Sequence, residues 1–423
     1  MAKESLGVNN NVTDALFGSV FEGLTDSQWG YRGFKTRPDF VRQRISISPK
    51  SGSTTPGYDS TQLFEIPKRA AILRRLSLRW RTAALAQSAG SNVRFVDYYG
   101  FAAIRRSVLR YASNDIHEIQ PMELYLTNRL DHRRKDQEAI ARLAGGDLTN
   151  AERATLAAGV QNWTTHLPFH FSELPDKCIY LESLGYPLEV EISLDSFVRL
   201  TDADGSPTTA QVSGGAISNF RLEAELIHLE DYERDYHVGR TLSDQGLVMA
   251  VREHRYQPAE AITSSVQDYT YRLTNLKGAC YEIRWVIQST LDTAGSAYSG
   301  RKDYFNFVDF STIGSGTAGD EYWYLDASGI EIVSRTDAQW NIEVENRDLH
   351  SGDSGDAIYG QAFGFHPEDR RNCTGHKTWA GMTNPAIVLR FNGNTPSNLQ
   401  ITAISREYNA QHNIQGEIVK LFK

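Results

Sequence analysis

The stretch "LEVEISLD", residues 188–195, decides the class of this fold. Leu188, Val190, Ile192 and Leu194 alternate with Glu189, Glu191, Ser193 and Asp195. A period of two puts the apolar side chains on one side of a strand and the polar ones on the other. That pattern belongs to an antiparallel sheet with one buried face. The same reading extends outward in both directions. "RRLSLRWR" (74–81) alternates Leu76, Leu78 and Trp80 with Ser77, Arg79 and Arg81. "YEIRWVIQ" (281–288) alternates Tyr281, Ile283, Trp285 and Ile287, and "WNIEVEN" (340–346) does so with Trp340, Ile342 and Val344. "LQITAIS" (399–405) repeats the pattern with Leu399, Ile401 and Ala403. Strands with one apolar face need a second sheet to cover it, so the sequence predicts packed β-sandwiches.

A chain of 423 residues is longer than one core usually fills. The charged joint "LEDYERDYHVGR" (229–240) separates two strand-rich stretches of similar size. The expected organisation is therefore an N-terminal arm over residues 1–40, a first sandwich over 41–236 and a second over 237–423. Within the arm, "NNVTDALFGSVFEGL" (10–24) places Leu16, Val20, Phe21 and Leu24 on one helical face behind the caps Thr13 and Asp14. Such a helix packs on its own protein or docks on a neighbour. One internal stretch reads as helix: "LTNAERATLAAG" (148–159), with Thr149 and Glu152 in capping-box spacing. It lies in an insertion over roughly 131–160.

Charge narrows the partners. The chain has 44 Lys and Arg against 52 Asp and Glu, a net charge of −8, so it lacks the basic surplus of a nucleic-acid binder. Two basic strips remain, "RRLSLRWR" and "HRRK" (132–135), and the first reads as the solvated face of a strand. Cys178, Cys280 and Cys373 stand far apart in no metal-ligand spacing, which fits free thiols in a reducing compartment. The opening "MAKESLGVNN" has no apolar signal region, and no apolar run reaches membrane-helix length. The expectation is a protein made and kept in a cytoplasm.

The candidate chemistry is thin. "SGDSGDAIYG" (351–360) differs by one letter from the Gly-Asp-Ser-Gly-Gly loop of chymotrypsin-like proteases, which makes Ser354 a candidate nucleophile. Asp356 takes the place of the second glycine, and a carboxylate there would oppose a developing oxyanion. No Ala-Ala-His-Cys motif stands upstream, so the loop reads as a polar turn before a strand. "DADG" (202–205) starts like a calcium loop but lacks the later oxygen ligands and the closing Glu. His166 and His170 have helical metal-ligand spacing, yet Pro168 and Pro175 argue against a helix there. Asn11, Asn162 and Asn372 open sequons that carry little weight without a secretory signal. No catalytic, cofactor-binding or metal residue is assigned, and no cofactor is expected.

Several segments, taken in order, resemble the major capsid proteins of nucleocytoplasmic large DNA viruses and related icosahedral double-stranded DNA viruses, the double jelly-roll lineage. "VDYYGFAAIRRSVLRYASNDIHEI" (96–119) is similar to that family's aromatic-Gly approach followed by a strand with paired basics. "HLPFHFSELPDKCIYLESLGYPLEVEISL" (166–194) resembles its Leu-Pro-Phe-aromatic-Phe segment. "FRLEAELIHLEDYERDYHV" (220–238) resembles the close of the first jelly roll, with Leu229, Asp231, Glu233 and Arg234 more tightly spaced than usual. "YRLTNLKGACYEIRWVIQ" (271–288) is similar to the Trp-Val-x-Gln strand of the second jelly roll. "AIYGQAFGFHPEDRRNCTGHKTWAGMTNPAIVLRF" (357–391) resembles the Ile-Tyr-x-x-x-Phe-x-x-x-Pro-Glu segment, but departs from it after Glu368. The resemblance spans about residues 41–423.

The resemblance implies an all-β chain of two tandem jelly rolls, with a short helical insertion and an N-terminal arm. It implies a structural protein, not an enzyme, whose homotrimers form pseudo-hexameric capsomers. The implied partners are other copies of the chain, neighbouring capsomers, and minor capsid, penton and cement proteins. An inner membrane met through the arm is a further implied contact, and no sequence-specific nucleic acid is expected. The implied place is the virion, with assembly in the host cytoplasm. Insertions 131–160 and 292–330 would form loops at the capsomer top or at trimer contacts, and the aromatics of the second, in "YFNFVDF" and "EYWYLD", read equally as interface anchors or as fillers of the chain's own core. Rival readings are a carbohydrate-binding sandwich module, a minor or penton capsid protein, and a hydrolase using Ser354 or a His–Asp pair.

Overall fold

The computed structural model describes residues 40–69, 72–87, 92–173, 179–204, 211–229, 231–244, 246–276, 278–292, 303–314, 320–352, 356–367, 373–379 and 382–420. Residues 1–39, on which the expected arm and its expected helix fall, and Ser354, Cys178, Gly205 and Asn372 lie outside the described residues.

Eight principal strands build the first half: β1 Phe40–Ile47, β2 Thr61–Ile66, β3 Ile72–Thr82, β4 Ile104–Tyr111, β5 Asn114–Ile119, β6 Gln161–Leu167, β7 Leu188–Leu194 and β8 Ile217–Leu229. They pair antiparallel into two sheets, ordered β1-β8-β3-β6 and β2-β7-β4-β5. Eight more build the second half: β9 Leu247–Tyr256, β10 Asp268–Arg272, β11 Ala279–Ser289, β12 Tyr322–Ala327, β13 Ile330–Thr336, β14 Tyr359–Ala362, β15 Ala386–Arg390 and β16 Leu399–Ile414. Their sheets run β9-β16-β11-β14 and β10-β15-β12-β13. Counted from the start of each half, both orders are 1-8-3-6 and 2-7-4-5. Two four-stranded sheets connected in this way are a jelly roll, so the chain carries the same one twice.

Side-chain alternation explains the layers. Leu188, Val190, Ile192 and Leu194 of β7 are buried, while the residues between them are half-exposed. They face Leu76, Leu78 and Trp80 of β3 in one core, with Phe64, Phe220 and Leu222. In the second core Trp285 of β11 stacks on Tyr359 at 4.3 Å between centroids and meets Trp323 edge-on at 5.6 Å. Leu399, Ile401 and Ala403 lie in this core as their spacing predicts. The β4–β5 hairpin turns on Ala112 and Ser113, both with positive φ, a two-residue turn whose twist matches the strands.

Four of the expectations need correction. First, "WNIEVEN" is not a strand. Residues Ala338–Leu349 form a continuous helical stretch with a wide π turn over Asn341–Glu345. The Asp337 carboxylate caps it by accepting the Trp340 N–H at 2.8 Å, and Trp340 is 54% exposed. Its place is set by tertiary contacts that a two-residue period cannot reveal. Asn341 accepts the Gly360 N–H at 3.0 Å and donates to the Gly360 carbonyl at 2.9 Å, while Asn346 donates to the Ile358 carbonyl at 2.8 Å. The helix thereby covers the free edge of β14.

Second, the helical insertion is larger than the stretch that carries the capping box. It holds α1 Pro121–Leu130, α2 Arg134–Ala144 and α3 Asn150–Ala157. The Thr149–Glu152 box is formed on both sides, as its spacing predicts. Helix α1 escaped notice because it is buried nearly all round, which erases the apolar stripe. Third, the insertion 292–330 is not all loop: Tyr322–Ala327 is the sandwich strand β12, and of the two readings of its aromatics the core one holds, with Tyr304, Phe305, Phe310 and Trp323 in the chain's own cores. Fourth, β11 is buried on both faces, which the junction below explains. The joint 229–240 holds a helix, α4 Asp231–Leu242.

Replacing Asn341 with Ala removes both of its bonds to Gly360. The expected loss of stability is about 1–3 kcal/mol, read as a lower urea midpoint together with faster amide exchange at Gly360 than at β7.

Candidate functional site: the junction of the two sandwiches

The outer face of the β9-β16-β11-β14 sheet turns toward the first half instead of solvent. On β11, Ile283, Trp285 and Ile287 point into the second core, and Glu282, Arg284, Val286 and Gln288 on the opposite face are buried too. Val286 and Ile404, with Tyr304, Phe305 and Ile358, join the core of the first sandwich. Helix α1 fills this seam. Pro121 sits at its first turn, where the missing N–H costs no bond. Its Tyr125 ring stacks on Phe305 at 4.5 Å.

The residue after α1 anchors a buried charge network. Asp131 lies 2.5 Å from Arg284 Nη2 and 2.9 Å from Arg406 Nη2. Glu282 lies 2.7 Å from Arg284 Nε, 2.7 Å from Arg406 Nη1 and 2.9 Å from His350 Nε2. All five side chains are 1–4% exposed. Burial opposes charge on Asp131, but Arg284 and Arg406 hold its carboxyl well below the usual range. Burial likewise opposes a proton on His350, yet Glu282 and Asp131 outweigh it and raise its pKa. Two carboxylates balance two guanidiniums, so the network tolerates burial only while complete. Removing one member of such a set costs about 3–5 kcal/mol.

The described residues of "SGDSGD", Ser351, Gly352 and Asp356, border this seam. Ser354 lies outside the described residues, while Gly352 and Asp356 on either side of it are described. The Tyr125 hydroxyl donates to Asp356 Oδ2 at 2.7 Å, and Arg129 Nε lies 3.2 Å from the same oxygen. The Gly352 N–H donates to the Leu130 carbonyl at 2.8 Å. A Cβ on Gly352 would lie 2.2 Å from the Arg129 carbonyl oxygen, so only glycine allows this approach. Asp356, which spoils the protease reading, is bound to α1.

A histidine column forms the second contact between the halves. His117 of β5 stacks on His170 at 5.8 Å and on His254 of β9 at 5.7 Å. His254 Nδ1 is 2.6 Å from Glu123 Oε1, and the Tyr256 hydroxyl donates to the other Glu123 oxygen. His117, Glu123 and His254 bring three potential metal-ligand atoms within 4.8 Å of one another. The arrangement does not fit a metal. His117 Nδ1 accepts the His170 N–H at 3.2 Å. A ligating Nε2 would require Nδ1 to carry a proton and donate instead. Sequence reasoning missed this trio because residues 117, 123 and 254 share no local spacing.

The sequence candidates go elsewhere. His166 Nδ1 bonds the Ser77 hydroxyl at 2.8 Å, away from the column that holds His170. A single helical turn, His170–Glu173, follows Pro168. Asp202 and Asp204 of "DADG" pair with Arg94 at 2.6 and 2.7 Å, which commits both carboxylates. Asn162 is exposed on β6. Cys280 is buried and Cys373 exposed, both as free thiols. Among the described residues no helix is long and apolar enough to cross a membrane.

Solved structures share this architecture. VP54 of PBCV-1 matches with a TM-score of 0.72 at 12% identity, over 93% of this chain and 100% of that one. The Faustovirus major capsid protein matches at 0.71 and 12% identity, over 90% and 92%. Its fold is the double jelly roll of viral major capsid proteins. The mavirus major capsid protein shares it at a TM-score of 0.51 and 12% identity, over 89% of each chain. No protein-family model and no curated protein matches the sequence.

Two outcomes test the junction. Gly352→Ala is expected to destabilise by about 1–3 kcal/mol through overpacking, while Gly57→Ala, whose Cβ would meet nothing within 4 Å, stays near neutral. The second outcome concerns pH. Burial, then the charges of His254 and His170, push the His117 pKa well below 6.5. Above that value the residue is neutral in both folded and unfolded chains. Below it the unfolded chain takes up the proton first, so stability falls as the medium is acidified. His166, lowered to about 4 by burial and by Arg75, acts with the same sign. The raised His350 acts oppositely, its contribution being lost as pH rises through its folded pKa. His117→Asn, which can still accept the His170 N–H, should flatten the acid limb of a urea-midpoint series by up to one proton.

Proposed function

We propose that the chain is a structural major capsid protein of an icosahedral DNA virus. The observation that carries this reading is the repeated strand order, with the two sandwiches joined through one buried junction. Each sandwich is a similar wedge, so three copies would supply six wedges around a threefold axis and make a pseudo-hexagonal block. Such blocks tile a shell. The fold shared with viral capsid proteins over about nine-tenths of the chain supports the same reading. We place the units at 1–40, 41–236 and 237–423, with α4 spanning the boundary between the sandwiches. The partners are other copies of the chain and other viral proteins at the capsid surface, including minor capsid, penton and cement proteins. The arm is the segment available to reach an inner membrane, and the place of action is the virion. No residue is assigned catalysis, a cofactor or a metal. A single-sandwich carbohydrate-binding module or minor capsid protein would not call for a second jelly roll or the buried junction.

Light-scattering mass with negative-stain images of the same peak tests the proposal. Three times 47.5 kDa, about 142 kDa, and a six-sided outline are expected. A monomer that also fails to assemble with its viral partners would overturn it.

A further inference from the structure

Two grooves meet on the outside of the first sandwich. One, of about 310 Å³, lies on the β1-β8-β3-β6 sheet beside Arg44, Arg75 and Arg79. The other, of about 380 Å³, runs along α2 toward the histidine column. They share Arg75, Phe101, Ile140, Leu143 and His166, so they form one trough. The floor is apolar, and Leu143 is 53% exposed. Along the sheet the rim carries Arg44, Arg75 and Arg79, exposed and with no ion pair among the described residues, beside Glu223 and Glu225, the latter already paired with Arg74 at 2.8 Å. An exposed apolar floor beside unpaired cations, on a chain of net charge −8, marks a docking surface for an acidic amphipathic segment.

The chain contains such a segment. Residues 5–31 carry Asp14, Glu22 and Asp26 and no Lys or Arg. Leu16, Val20, Phe21 and Leu24 recur at i, i+4, i+5 and i+8, one face of a helix. Residues 25–39 connect Leu24 to β1, and an extended linker of that length spans roughly 50 Å. That strand already places Arg44 in the rim. Length, point of attachment, charge and apolar spacing all agree.

We infer that residues 13–26 dock in the trough of their own chain, with Leu16, Val20, Phe21 and Leu24 on Ile140 and Leu143 and the three carboxylates toward Arg44, Arg75 and Arg79. This goes beyond the capsid reading and does not depend on it.

Hydrogen exchange read by mass spectrometry on the full chain tests the inference. In the wild type, amides of 13–26 should be protected. The double change Phe21→Asp and Leu24→Asp should abolish that protection and raise exchange in α2 about tenfold. Arg75→Glu with Arg79→Glu should act in the same way, and Asp14→Arg with Glu22→Arg should restore protection to that variant. Leu143→Arg alters an exposed side chain and repeats the test without threatening the core, while unchanged protection of β7 reports an intact fold. Exchange of 13–26 at the free-chain rate in the wild type overturns the inference. So does protection that ignores the rim charges, or protection that rises with protein concentration, which would assign the trough to a neighbouring copy.

Discussion

The structure depends on five buried charged groups placed where two sandwiches meet. Asp131 comes from the first half, and Glu282, Arg284, His350 and Arg406 come from the second. None could sit at this depth alone, because an isolated ion in so apolar a place would cost several kcal/mol. Each half therefore supplies the counter-charge that makes burial of the other tolerable. The consequence is mutual dependence. The outer face of β11 carries Glu282 and Arg284, residues suited to solvent, yet both are buried, with Arg284 on Asp131 of the first half. The apolar contacts of Val286 and Ile404 supply the burial, and the ionic network supplies the register.

The strands were largely legible in the sequence. Leu188 to Leu194 and Leu76 to Trp80 stand on one buried face because a period of two leaves a sheet no other choice. The capping box at Thr149 was legible because its chemistry is local. What escaped is what the junction imposes. Alternation in "YEIRWVIQ" predicts an open face, but a second sandwich covers it. Alternation in "WNIEVEN" predicts a strand, but the bonds of Asn341 and Asn346 to β14 hold a helix there. Helix α1 lost its apolar stripe because it is surrounded. All three misreadings lie where an element answers to tertiary partners that its own local spacing does not reveal.

The candidate site was harder to read for the same reason. Asp356 of the protease-like loop meets helix α1. Its partners, Tyr125 and Arg129, lie more than two hundred positions away and leave no trace in local spacing. The histidine column, drawn from residues 117, 170 and 254, is equally silent. A resemblance carried by short ordered motifs reached the fold, whereas the residues that join the two jelly rolls emerged only in three dimensions.

Synthesis order gives the junction a further meaning. Asp131 leaves the ribosome long before Arg406, which lies 275 positions later. Until the last long strand is made, the nascent chain carries α1 with its apolar flank bare and a carboxylate awaiting its cations. Contacts of such sequence separation form late and slowly, and the half-made molecule displays the surfaces that drive misassociation. A chain built this way has a long vulnerable interval during translation. Its yield depends as much on protection through that interval as on the stability of the finished block.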